Sequence, residues 1–216
     1  KMKNARLDVN MSSSGTAVAN SDDARDNKTD HWVNNSFVER YIRLGGIGNP
    51  DVVVIHGGTN DSAHGDFCPL YPGSDDCGKV TTANQQALAG IYALADAALT
   101  IEDAAASRTA IEALAHNDFC SAYVKLLCLI KQQYPDAKIV CVIGDYLSTG
   151  IQKSIISIAN HYGARYVDLY AVNGFNDQTY MPKHDYNGSS GCHPNAKAME
   201  FISEKIYKEL GAWLEE

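Results

Sequence analysis

Asp51-Val52-Val53-Val54-Ile55-His56-Gly57-Gly58-Thr59-Asn60-Asp61 is the stretch that decides how this chain folds. Its first half is a continuous apolar, β-branched run, the composition of a strand buried on both faces of a parallel sheet. Its second half is a glycine turn that delivers polar side chains. In open parallel sheets, ligands bind beyond the carboxyl ends of the strands. The residues that follow Ile55 therefore carry functional weight.

Two further runs share this character. Lys138 to Gly144 follows Pro135-Asp136, and Ala164 to Asp168 follows a turn at Gly163. A weaker strand, Arg6-Leu7-Asp8-Val9-Asn10, is expected to open the chain. Segments with helical periodicity lie between and after them: Asn35 to Leu44, Phe119 to Tyr134, Gln152 to Tyr162, and Asn195 to Leu214. Strands alternating with longer helices predict an α/β fold, a three-layer α/β/α sandwich around a central parallel sheet. Residues 68–116 break the rhythm with a loop and two alanine-rich helical segments, Gln85 to Leu99 and Ile101 to Ala115. We read residues 1–216 as one domain with a mostly helical insertion, which either shapes the rim of a pocket or covers the sheet edge.

The net charge of −8, from 26 acidic and 18 basic residues, argues against a nucleic-acid partner, which would need clustered Lys and Arg. No apolar run reaches the length of about 18 residues that a membrane helix requires. The basic start, Lys1 to Arg6, has no apolar segment behind it, so no secretory signal is visible. The six cysteines, at 68, 77, 120, 128, 141 and 192, form no CxxC pair, which removes support for a structural zinc site. Cys128 and Cys141 read as buried apolar residues. A disulfide among Cys68, Cys77 and Cys120 stays open, and would favour a periplasmic or secreted home over a cytoplasmic one. Asp66, Asp75 and Asp76 match no calcium loop, so neither a metal nor a cofactor is expected.

Three blocks fall at strand ends or at a helix start: Ser12-Ser13-Ser14-Gly15-Thr16, Gly57 to Asp61, and Gly191-Cys192-His193-Pro194-Asn195. Each alone has a plain explanation as a loop, a strand exit or a helix cap. Their combination is more specific. Gly58-Thr59-Asn60-Asp61 resembles the G-x-N-D block of the SGNH (GDSL-like) hydrolases, whose layering is flavodoxin-like. Ser14-Gly15-Thr16 resembles that family's glycine block, and His193-Pro194-Asn195 its C-terminal histidine block. The resemblance implies ester hydrolysis through an acyl-serine intermediate. His193 would be the general base, and the Gly15 N–H and Asn60 side-chain amide would be the oxyanion donors.

Two departures from the family pattern stand out. Its nucleophile belongs to a Gly-Asp-Ser motif after the first strand, and that motif is absent from the start of this chain. The reading we prefer puts the first strand and its serine upstream of Lys1. Otherwise Ser12, Ser13 or Ser14 serves in a divergent elbow, or catalysis has been lost. A missing central strand would expose ladder groups, which leaves a homodimer open. The second departure is Ser190, three residues before His193, where the family usually has Asp. Asp185 or Asp177 could supply the acid, although a Ser-His dyad with a backbone carbonyl orienting the ring is slightly preferred. Cys192 as nucleophile would need His184 as its base and is disfavoured.

The expected function is a carboxylic-ester hydrolase for a small-molecule or carbohydrate ester, with an acetyl group on a sugar as the substrate suggested by family analogy. The competing class is a catalytically incomplete SGNH-fold domain that binds carbohydrate or acts as a scaffold. A flavodoxin-like binding domain ranks third, for want of a glycine-rich phosphate loop.

Overall fold

A computed structural model of the chain describes residues 6–7, 9–12, 16–19, 36–44, 48–63, 82–144, 147–169 and 196–215. Within these, three parallel strands form one sheet in the order β1 (Val52–His56), β2 (Lys138–Ile143), β3 (Arg165–Asp168). Val54 stands opposite Val140 and Ile55 opposite Cys141, while Ile143 meets Asp168 across the second ladder. The helices are α1 (Phe37–Leu44), α2 (Thr59–Ala63), α3 (Thr82–Leu99), α4 (Ala104–Glu112), α5 (Phe119–Gln133), α6 (Thr149–His161) and α7 (Ala196–Glu215).

Strand periodicity assigns the two faces. Ile139, Cys141 and Ile143 point into a core shared with Val38 of α1, Leu127 of α5 and Ile155 of α6. Val140, Val142 and Val167 point the other way, onto Ala198, Ile202 and Leu210 of α7. Helices on both faces of a parallel sheet make the three-layer α/β/α sandwich that the alternating pattern predicted.

α5 is the hub of the larger layer. Every residue from Phe119 to Ile130 is buried, because α1, α3, α4 and α6 all pack against this one helix. Asp118 caps it, accepting from the Ser121 N–H at 3.0 Å. Lys125 survives in that buried setting because its ammonium has acceptors for its protons. It donates to the carbonyls of Glu112 and Leu114 at 2.6 and 2.9 Å and to Nδ1 of His116 at 3.1 Å. The opposite ring nitrogen of His116 meets Glu39 of α1 at 2.7 Å. α3 and α4 contribute Ala95, Ala98 and Ile111 to the same core. In this part of the expected insertion, 82–112, the helices therefore act as a packing layer over α5. On the far face, Trp213 of α7 lies under the cations of both Lys138 and Arg165, which ties the last helix to the entry ends of β2 and β3.

Two expectations need correction. The weak strand at Arg6–Asn10 is not formed: residues 6, 7, 9 and 10 carry no strand, and Leu7 is 77% exposed. An extended segment becomes a strand only with a ladder partner, and β1 bonds to β2 alone among the described residues. The side chain of Asn10 instead accepts from the Ser12 N–H at 2.9 Å, an Asx turn that bends the chain there. The second correction concerns Cys120. It is a free, buried thiol on α5, so the possible disulfide to it is not made, while Cys68 and Cys77 lie outside the described residues. Cys128 and Cys141 are free and buried, as their apolar surroundings suggested.

Candidate active site

The turn after β1 is shaped by two glycines with different duties. Gly58 holds φ at +107°, a backbone region that a side chain strains to adopt. Gly57 leaves room for Phe37, whose ring atoms would lie 2.5 and 2.6 Å from a Cβ at that position. The turn opens directly into α2, where the Ser62 N–H returns to the Gly58 carbonyl at 2.8 Å. The hydroxyl of Ser62 accepts from the Ser148 N–H at 3.0 Å, joining this turn to the start of α6.

Asn60 and Asp61 both reach back to residues 16–19. The Asn60 side-chain amide donates to the carbonyl of Thr16 at 3.0 Å. Asp61 is 1% exposed, and its two oxygens accept from the Val18 and Ala19 N–H groups at 2.9 and 3.0 Å. Burial disfavours its charged form more than these amides favour it, so its pKa is pushed up to about 6.

Arg40 approaches the same segment from α1. Its Nη1 donates to the Thr16 hydroxyl at 2.8 Å and its Nε to the Met11 carbonyl at 3.2 Å. The guanidinium sits 4.9 Å from the Phe37 ring centroid, and the Phe37 N–H donates to the Ala17 carbonyl at 3.0 Å. Burial, and then the neighbouring Arg43, lower the Arg40 pKa from its ordinary value. His56 ends β1 with solvent contact on part of its ring, yet the atoms packed around the rest depress its pKa.

Of the residues expected from sequence to form the site, Asn60 stands at the carboxyl end of β1, bonded to Thr16 beside the glycine block. Ser12 is exposed. Ser13, Ser14, Gly15, Asp177, His184, Asp185, Ser190, Cys192 and His193 lie outside the described residues. Among the described residues, no group of three or more His, Cys, Asp or Glu side chains could hold a metal ion. No helix among them is long and apolar enough to cross a membrane.

Sequence reading missed two contributors. Arg40 belongs to the helical segment 35–44 but not to its apolar stripe, and its partners are 24 and 29 positions away. Asp61 was part of a motif but was given no duty. The available signal was a charged residue within four positions of strand-exit glycines, which pattern alone does not separate from a solvated one.

Comparison with known proteins agrees with this architecture. A family model described as GDSL-like Lipase/Acylhydrolase matches residues 2–206. A crystal structure of a GDSL-like lipase from Bacteroides ovatus aligns with 92% of this chain and 68% of its own, at 22% identity and a TM-score of 0.52. One from Bacteroides uniformis aligns over 92% of this chain and 66% of its own, at 21% identity and a TM-score of 0.52. At such identities the likeness speaks to the fold, and the chain spans about two thirds of each of those proteins. No curated protein matches it in sequence.

Proposed function

Because the chain belongs to the GDSL-like lipase and acylhydrolase family, whose chemistry is the hydrolysis of ester bonds, we propose that it is a serine-type carboxylic-ester hydrolase. The observation that carries this reading is the bond from the Asn60 amide to Thr16, which brings the G-x-N-D block against the residue after Gly15. A primary amide has two N–H donors. With one spent on the Thr16 carbonyl, the other is directed by the same planar group and can serve an oxyanion.

In the proposed mechanism, a serine attacks the ester carbonyl while His193 accepts its proton. The tetrahedral oxyanion is held by Asn60 and the Gly15 N–H. Collapse expels the alcohol, protonated by His193, and water then repeats the sequence on the acyl-serine. Asn60 suits this duty because it donates without carrying a charge, and a donor fixed before reaction needs no reorganisation during it. Within this chain the candidates for that serine are Ser12, Ser13 and Ser14. Asp185 or a backbone carbonyl orients the imidazole. We propose short acyl groups on carbohydrate as the substrate class.

The test uses hydrolysis of p-nitrophenyl acetate together with labelling by a serine-reactive phosphonate. Turnover and a one-to-one adduct, both lost in His193→Ala, support the reading. Asn60→Ala should lower kcat by about 100- to 1000-fold. A folded protein, made from the whole coding sequence, that takes up no phosphonate and turns over no ester would instead be a catalytically incomplete binding domain.

A further inference from the structure

We infer that Arg40 is a positioning residue for Asn60, acting through Thr16. The inference rests on the esterase reading for its catalytic consequence, but its geometry is independent of that reading. Thr16 is the shared element. Its hydroxyl accepts from Arg40 at 2.8 Å while its carbonyl accepts from Asn60 at 3.0 Å. The two acceptors belong to one residue, so a displacement of Thr16 disturbs both bonds, and a hold on its hydroxyl restrains the position of the carbonyl that orients the Asn60 amide plane.

The remaining contacts make Arg40 a rigid source of that constraint. Its Nε bond to the Met11 carbonyl at 3.2 Å attaches residue 11 to the same guanidinium that holds Thr16. One planar fork makes both bonds, a geometry that an ammonium group cannot reproduce. The residue is 6% exposed and stacked over Phe37, so its head group has little freedom to wander. α1 adds a backbone bond from Phe37 to Ala17, and the Phe37 ring occupies the space that Gly57 leaves. One helix thus backs both the segment that Asn60 bonds to and the turn from which Asn60 projects.

This arrangement predicts a coupling that a purely structural arginine would not show. If Arg40 acts by orienting Asn60, its removal should matter only while the Asn60 amide is present. With p-nitrophenyl acetate, Arg40→Met should lower kcat by about 10-fold, with KM changed less than about twofold, as expected for a misplaced catalytic group. Arg40→Lys should recover only part of the loss. In an Asn60→Ala background, adding Arg40→Met should lower kcat by less than about twofold. An equal loss in both backgrounds, or no loss in either, overturns the inference. Should Arg40→Met not unfold cooperatively, Thr16→Val replaces it, removing the hydroxyl and keeping the carbonyl, with the same coupling expected.

Where no ester hydrolysis is available to report on it, the positioning is read directly by NMR, which needs no catalysis. The side-chain amide protons of Asn60 should exchange at least about 10-fold faster in Arg40→Lys than in wild type, while amides of α5 and β2 keep their rates. Unchanged exchange at Asn60 overturns the inference.

Discussion

Replacing Asp61 with asparagine should change how the stability of this protein depends on pH, and the size of the change follows from the site. The carboxyl is 1% exposed, and its pKa rises from 3.8 to about 6 because burial outweighs the two amide bonds it accepts. The folded state therefore holds this proton more tightly than the unfolded state does. The resulting stabilisation is complete below about pH 3.8, declines as pH rises, and is lost above about pH 6. A shift of this size corresponds to about 3 kcal/mol. The substituted carboxamide would not titrate. It resembles the neutral acid but presents an NH2 to one of the Val18 and Ala19 amides, at a cost of about 1–3 kcal/mol. The variant should then be somewhat less stable than wild type at pH 4 and at least as stable at pH 8. Urea unfolding at half-unit steps of pH would measure the difference, in which the other carboxylates cancel. The stability of Asp61→Asn relative to wild type should climb by about 2 kcal/mol between pH 4 and pH 8, the remainder of the shift lying below pH 4. A difference independent of pH, or one that falls as pH rises, would refute the balance of burial over hydrogen bonding.

Three further outcomes are expected. Gly58→Ala should destabilise by about 1–3 kcal/mol, since φ is +107° and the new methyl would meet Ile151, Leu147 and Phe119 at 3.2–3.3 Å; thermal unfolding checks it. Lys125→Met removes three donated bonds, two of them to carbonyls at the end of α4, and should cost about 2–3 kcal/mol in urea unfolding, with faster amide exchange in α4. Burial pushes the thiols of Cys120 and Cys128 up to about 12 and that of Cys141 to about 11. Peptide mapping after iodoacetamide at pH 8 should find all three unmodified in the native protein and modified in urea.

The strands β1, β2 and β3 and the helices α1, α5, α6 and α7 were legible in sequence to within three residues at either end. Each carries an apolar period tied to its own geometry, and glycine, proline and capping residues mark several of the boundaries. The failure at Arg6–Asn10 has the complementary cause. Its alternation is correct for a strand, but a ladder needs a partner, and pairing is a property of two segments. The same distinction runs through the site. Asn60 could be picked out because a strand exit exposes whatever follows it. That the neighbouring Asp61 turns inward to bind residues 18 and 19 had no local sign.

The order of residues alone determined that this chain builds a parallel α/β sandwich and that Asn60 follows the exit of its best strand, because hydrophobic period and turn chemistry act over a few neighbouring positions. Only the tertiary structure decided that Arg40, Thr16, Asn60 and Asp61 form one connected assembly. Those bonds join residues 24 to 44 positions apart, and hydrogen bonds at such separation depend on how the helix and the sheet pack together.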